Sequence, residues 1–443
     1  MGPPGVIVVS YASSPRILSR KEHPISRKNI DPDALRILYR LHNHGFLAYL
    51  VGGCVRDLLL GKTPKDFDAA TDAHPRQIRE LFRNSRLIGH RFRLAHVYFP
   101  GGKYIEVSTF RRRSEFDSSN HETHPQSDNT FGTPAEDALR RDITINGIFY
   151  NIADLSLVDY VGGLEDLQRG VIRCIGDPDE KFVHDPVRMI RVIRHAARTG
   201  FKIEENTYRS LLSHVEKIRL CSPARVGDEF LRELREGSTK ESMRLMIETG
   251  MLFALFPSFL GPLNGEKERE DFLLFAAALD SLGVSEIPIP DEFYLALFLL
   301  PLLEYFCPFA AFPSGRKGQA DFLLRVRQWV IDTLGPLHFP RQTREGATQF
   351  LGAQRIFQEF LPEGRLPFQL VRRPFFQPAL RLMELGSKVR GKEPVRLSWP
   401  SEEKHFYRRK RKRRPRKRKR REAGGNPGGE LEMSWEEREK PAG

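Results

Sequence analysis

The chain has 443 residues, enough for two or three domains with a cleft between them. Its apolar fraction of 40% is low for a wholly compact protein, and its formal charge of +14 sits almost entirely in one run near the C-terminus, leaving about +1 for everything else. The folded part is therefore close to neutral, and four scattered cysteines (Cys54, Cys174, Cys221, Cys307) without a CxxC pair argue against a zinc site or disulfide framework and fit a reducing cytoplasm.

Residues 1–30 read as a flexible N-terminal arm; the apolar run Val6–Val9 is too short for a secretory leader and follows no basic residue. Ala34–His44 has helical spacing. Phe46–Val51 is a short apolar strand ending in Gly52-Gly53, with a helix over Val55–Leu60. Paired glycines at a strand-to-helix turn let backbone approach a phosphate, and Arg56 would add positive charge, although such a turn can equally be empty. Phe67–Ala70 reads as a second strand and His74–Asn84 as a helix.

Residues two apart on a strand share a face, so Asp66 and Asp68 would project together. Adjacent carboxylates repel, and a cation is their natural partner: Mg²⁺ takes a few carboxylates plus substrate phosphates. Alone, the pair could be a solvated acidic turn. Leu94–Phe99 and Tyr104–Phe110 alternate as paired strands around Gly101-Gly102. Glu106, on the second of them, could supply a third carboxylate or lie on an exposed face. Arg111–Thr130 has the composition of a mobile loop.

From Asp185 the pattern turns helical, with apolar residues spaced three and four apart in Val187–Ala197, Asp228–Arg235 and Glu241–Glu248, and no strand of comparable strength returns. Phe293–Phe312 is long and apolar enough to span a membrane, but Pro301, Glu304 and Pro308 interrupt it, so it reads as buried core helices and no stable membrane insertion is expected.

After about Pro400 the composition is charged and poor in core residues, as in a disordered tail. The basic run comprises Arg408, Arg409, Lys410, Arg411, Lys412, Arg413, Arg414, Arg416, Lys417, Arg418, Lys419, Arg420 and Arg421. It would grip phosphates of any sequence, with affinity falling steeply as salt rises, and it contains no aromatic residue for stacking on bases. A localisation-like run or a contact with acidic protein would have the same composition.

Taken together, Gly52-Gly53-Cys54-Val55-Arg56-Asp57, Asp66-Phe67-Asp68, Arg140-Arg141-Asp142-Ile143-Thr144-Ile145-Asn146 and Asp185-Pro186-Val187-Arg188-Met189-Ile190-Arg191 resemble the ordered motifs of the tRNA nucleotidyltransferase and poly(A) polymerase family, within the polymerase-beta superfamily. Asp159-Tyr160-Val161-Gly162-Gly163, continuing to Asp166-Leu167, resembles the flexible motif between them. The resemblance runs from about residue 20 to 260. It implies an α+β fold: a nucleotidyltransferase head on a small mixed sheet (31–175), a helical neck with base selection and RNA binding (176–265), a helical body (266–399) and a basic tail (400–443).

It also implies template-independent transfer of AMP from ATP to RNA 3′ ends, with Asp66, Asp68, Glu106 and Asp142 as the acidic set and Asp66 and Asp68 holding two Mg²⁺ ions, Mn²⁺ being a substitute. Asp142 would join that set or anchor the motif's arginines. Nucleotide contacts fall to Gly52, Gly53, Arg56, Arg140, Arg141 and Asn146. Asp185 and Arg188, three apart on one helix, would read adenine, with Arg191 and Arg194 reaching phosphates. The family usually has Glu before this Asp, and His184 stands there instead, which puts the precision of base selection in doubt.

Leu87–Val97 is similar to the signature segment of bacterial poly(A) polymerases, with His90 in place of a basic residue, and the opening His23–Lys28 and the basic tail also favour that branch over CCA addition to tRNA. Arg225, Glu229, Leu252, Phe256 and Pro257 match the helical RNA-binding region shared by both. A monomer working in the cytoplasm with RNA-degradation or RNA-chaperone proteins is expected. A non-catalytic RNA-binding relative is the rival reading, and the survival of both Asp66 and Asp68 opposes it.

Overall fold

Alternation along the short strands of the N-terminal half gives each a core face and an outer face, and they assemble into one mixed sheet. A computed structural model describes residues 14–89, 94–112, 131–282, 289–360 and 366–392, all within one unit that runs to Val395. The sheet has eight strands: β1 (Arg16–Leu18), β2 (Ala48–Val51), β3 (Asp68–Thr71), β4 (Ser85–Ile88), β5 (Leu94–Tyr98), β6 (Tyr104–Thr109), β7 (Ile148–Asn151) and β8 (Leu157–Asp159). Their order is β1-β8-β7-β2-β3-β6-β5-β4, and only β3 and β6 run parallel.

One face is sealed by α1 (Pro32–Asn43), α2 (Gly53–Leu59) and α3 (Pro75–Leu81). Leu50, Ala69, Ala95, Val97, Ile105 and Val107 meet Ile37, Leu38, Val55 and Ile78 there. On the opposite face, Tyr49, Val51, Phe110, Ala138, Phe149 and Val161 form a second, smaller core that covers the inner half of the sheet. Helices α4 (Pro134–Leu139) and α5 (Gly163–Arg169) complete the head.

Several strands escape the sequence pattern. His74–Asn84 is not one long helix: α3 stops at Leu81 and β4 follows. The segment read as a loose arm is anchored over residues 14–30, because β1 pairs with β8 and Ile25 and Ile30 enter the core. His23 is also buried and bonds through Nε2 to the Leu155 carbonyl at 2.8 Å. Residues 1–13 lie outside the described residues.

The chain then turns helical: α6 (Pro178–His184), α7 (Val187–Thr199), α8 (Glu205–His214), α9 (Pro223–Arg235), α10 (Thr239–Glu248) and α11 (Met251–Leu255), followed by α12 (Glu266–Leu282), α13 (Asp291–Leu299), α14 (Leu303–Phe306), α15 (Arg316–Leu334), α16 (Arg341–Phe360), α17 (Phe368–Val371) and α18 (Phe376–Val389). One exception to an all-helical second half is β10 (Lys202–Ile203), which pairs in parallel with β9 (Val171–Ile172). The apolar stretch from Phe293 breaks at Pro301 into α13, a short 3-10 turn and α14, and the residues from Phe293 to Leu299 are buried. Among the described residues, no helix is long and apolar enough to cross a membrane.

Candidate active site

The glycine turn sits where β2 hands over to α2. Gly52 has φ +77° and ψ −142°, a conformation that excludes side chains. A Cβ there would lie 3.5 Å from Arg141 Nη1 and 3.8 Å from Asp68 Oδ2, ordinary contact distances, so the backbone conformation and not space calls for glycine. The turn therefore brings bare backbone against an arginine and a carboxylate.

Asp68 is the first residue of β3, opposite Val51 on one side and Glu106 of β6 on the other. Its carboxyl is pushed up to about 7, first by burial, then by the charge of Glu106; Arg141 opposes the shift and Asp66 adds to it. Burial also raises Glu106, against the pull of Arg111 and of Arg232 on α9. Asp68 and Glu106 thus form an under-neutralised acidic pair.

Asp66 lies ahead of the strand that carries Asp68, so strand periodicity does not set its direction, although its charge adds to the rise of the Asp68 carboxyl. β3 opens at Asp68, which pairs with Val51, the last residue of β2 before the Gly52 turn. Asp66 therefore lies in an exposed loop ahead of β3 and lines a cleft of about 340 Å³ with Lys28, Lys65, Lys103 and Tyr104. Among the described residues, no three His, Cys, Asp or Glu side chains gather closely enough to hold a metal by themselves. An acidic pair of raised pKa with a third carboxylate nearby fits a cation that shares its shell with substrate phosphates.

The two arginines of the Arg-Arg-Asp motif are fixed by a residue that sequence reasoning missed. Asp137 of α4 is fully buried and pairs with Arg140 at 2.6 Å and Arg141 at 2.9 Å, and those cations keep its carboxyl low despite burial. Arg141 also lies over the Phe149 ring at 5.1 Å. The only sequence signal for Asp137 is its spacing of three and four residues from the two arginines on one helix.

Asp142 is held between two arginines of α7. It pairs with Arg188 and with Arg191, the latter at 2.7 Å, and they hold its pKa down against burial. Arg188 also donates to the Arg141 carbonyl at 3.3 Å. Asp185 and Arg188 form a long ion pair, although they do not belong to one helix. Asp185 precedes α7, which starts at Val187, and its carboxylate meets Arg225 of α9 at 3.1 Å, while Arg188 Nε stands 3.7 Å away. Pro186 separates the two helices. His184, where the family usually has Glu, is exposed at the end of α6.

Two residues expected at phosphates are buried instead. Arg56 is wholly enclosed; it pairs with Asp57 at 2.8 Å and donates to Asn146 Oδ1 at 2.8 Å. Asn146, only partly buried, in turn lies 3.2 Å from His195 Nε2. Arg194 is 2% exposed and pairs with Glu229 of α9. Arg198 of α7 reaches Asp57 at 2.8 Å. The arginine stripe on α7 therefore joins the head, through Asp142 and Asp57, to α9, through Glu229.

Asp159–Leu167, where the resemblance implies a flexible motif, is tightly bonded. Asp159 accepts from the backbone of Val161, Gly163 and Leu164 at 2.8–3.0 Å, and Asp166 accepts from Thr144 Oγ1 at 2.6 Å. In the expected RNA-binding region, Phe256 is buried and Arg225 and Glu229 are engaged as above. His90–Arg93, residues 113–130 of the expected mobile loop and the basic run Arg408–Arg421 lie outside the described residues.

The head matches the family model described as "Poly A polymerase head domain" over residues 48–173, and residues 200–260 match "Probable RNA and SrmB- binding site of polymerase A". The chain is 38% identical to poly(A) polymerase I of Salmonella typhi over 384 residues, covering 84% of this chain and 82% of that one. It is 33% identical to the CCA-adding enzyme of Lactobacillus helveticus strain DPC 4571, over 58% of this chain and 64% of that one. Among solved structures, the Bacillus stearothermophilus CCA-adding enzyme in complex with CTP matches with a TM-score of 0.59 at 26% identity, covering 82% of this chain and 78% of that one.

Proposed function

The chain belongs to the tRNA nucleotidyltransferase and poly(A) polymerase family, and we propose that it adds AMP from ATP to RNA 3′ ends, in RNA processing and turnover. The observation that carries this reading is the Asp68–Glu106 pair beside the bare Gly52 backbone and Arg141. It offers negative charge for a metal and positive charge for a triphosphate at one point. The preference for poly(A) over CCA rests on reach: the match to poly(A) polymerase I extends over 84% of the chain, that to the Lactobacillus CCA-adding enzyme over 58%.

Members of this family use ATP and divalent metal. In our reading two Mg²⁺ ions, with Mn²⁺ able to substitute, are held by Asp68 and Asp66 with Glu106, and when bound they supply activation of the RNA 3′-hydroxyl and charge neutralisation at the departing pyrophosphate. The protein's own task is positioning. The Gly52–Gly53 backbone admits the triphosphate, and Arg141, held by Asp137, faces it. Asp142 sets Arg188 toward the base, and Asp185, steered by Arg225, supplies the acceptor for the adenine amino group. Arg140 serves from the rim, with Arg56, Asn146 and Arg194 building the frame behind.

The run Arg408–Arg421 is proposed as a sequence-independent RNA grip. A cytoplasmic setting fits the four free cysteines. The test is incorporation of labelled ATP or CTP into an unstructured RNA primer and into a tRNA lacking its end. A long tract from ATP alone on both substrates supports the reading. Addition confined to tRNA, requiring CTP and stopping after about three nucleotides, would assign CCA synthesis instead.

A further inference from the structure

The row of residues that begins with the acidic pair continues across the sheet. Glu106 of β6 faces His96 of β5, and His96 faces Arg86 of β4. Ala95, Val97, Ile105 and Val107 point into the helix-covered core, so the residues between them, His96, Tyr98, Tyr104 and Glu106, lie on the opposite face with Asp68. The small core that covers the inner half of this face stops short of β5.

The outer half therefore presents aromatic rings beside the carboxylates. His96 and Tyr104 stack with centroids 4.3 Å apart and planes 7° from parallel. Tyr98 leans on Tyr104 at 6.0 Å, and Arg86 lies over the Tyr98 ring at 5.6 Å. Tyr104 remains 52% exposed, although an aromatic ring gains by burial. His96 Nε2 stands 3.7 Å from Glu106 Oε2, which ties the stack to the acidic pair. Tyr104 also forms part of the wall of the cleft that contains Lys28 and Lys65.

We propose that His96 and Tyr104 form a stacking platform for the 3′-terminal nucleoside of the RNA being extended, with Lys28 and Lys65 taking the phosphate upstream of it. This inference rests on the adenylyl-transfer reading and assigns the second substrate's place within it. An exposed tyrosine backed by a stacked, largely covered imidazole, with cations nearby, is the chemistry that holds single-stranded RNA without regard to sequence, because every base has a π-face. A base stacked there sits beside Glu106, so its ribose lies toward the acidic pair. The incoming ATP is assigned to Arg188 and Asp185, on other elements.

The test uses the full chain and an unstructured oligoribonucleotide with 2-aminopurine either at its 3′ terminus or five positions inward. Binding needs no turnover, so the outcome is separate from that of the tailing reading. Quenching of the terminal probe only, lost in Tyr104→Ala and retained in Tyr104→Trp, is expected. In steady state, Tyr104→Ala should raise KM for the primer about tenfold, leave KM for ATP unchanged and be rescued by Tyr104→Phe. Tyr104 is at the surface, and an unaltered melting temperature checks the fold. Unchanged primer KM in the His96→Ala, Tyr104→Ala double variant, equal quenching of both probes, or a rise confined to KM for ATP would overturn the proposal.

Discussion

Asp68 and Glu106 face each other across the one parallel strand pair of the head, with burial raising both carboxyls and the charge of Glu106 raising Asp68 further. Repulsion of this kind is an instability kept for use. Asp68 titrates near 7, above its unfolded value, so the stability it permits is complete below about pH 4 and is lost as pH rises through 7. Asp68→Asn should therefore raise stability at pH 8 by about 1–3 kcal/mol and change little near pH 4. Adding Mg²⁺ at pH 8 should raise the melting temperature of the wild type more than that of the variant. Calorimetry at the two pH values, with and without the ion, measures both effects.

Glu233 of α9 is buried, its Oε1 is bonded to Ser242, and burial pushes its carboxyl up to about 8. The sign is the same: its stabilising share holds at low pH and disappears as pH rises through 8. Glu233→Gln should gain about 1–2 kcal/mol over the wild type at pH 9, with no gain at pH 5. Urea denaturation at both pH values gives the comparison.

Asp142 holds Arg188 and Arg191 in a half-buried joint between head and α7. Asp142→Asn removes the nearest counter-charge of both cations, leaving Asp185 at 3.7 Å from Arg188 and Glu229 at 4.0 Å from Arg191, and should cost about 2 kcal/mol of stability. Because Arg188 loses its anchor, the ratio of kcat/KM for ATP to that for CTP should fall by about tenfold or more, as it should in Arg188→Ala. Denaturation and competition kinetics read the two effects separately.

These residues show what the sequence can and cannot disclose. The glycine turn, Asp68, Glu106 and Asp142 are legible because the motif order places them. Asp137 and the tie between Asp57 and Arg198 are not, since they link segments whose proximity only the fold creates. The same applies to Arg56 and Arg194, which read as phosphate ligands by residue type and prove to be buried pairs. Strands of three or four residues, such as β4 and β8, carry too few alternations to announce themselves. Asp66 precedes β3, and strand periodicity cannot say where a strand begins.

Deleting Arg408–Arg421 should weaken binding to unstructured RNA and flatten its dependence on salt, because fewer counterions are released. Affinity measured at several salt concentrations should show a shallower slope than the full chain, with KM for ATP unaltered.

The most direct measurement is single-turnover extension of an RNA primer with ATP by the wild type, Asp68→Asn and Glu106→Gln, with folding verified by melting and primer binding measured in parallel. Loss of at least about 100-fold in the extension step, with primer affinity kept, is the expected result for both variants. Extension by Asp68→Asn at the wild-type rate would contradict the assignment of the chemistry to this pair.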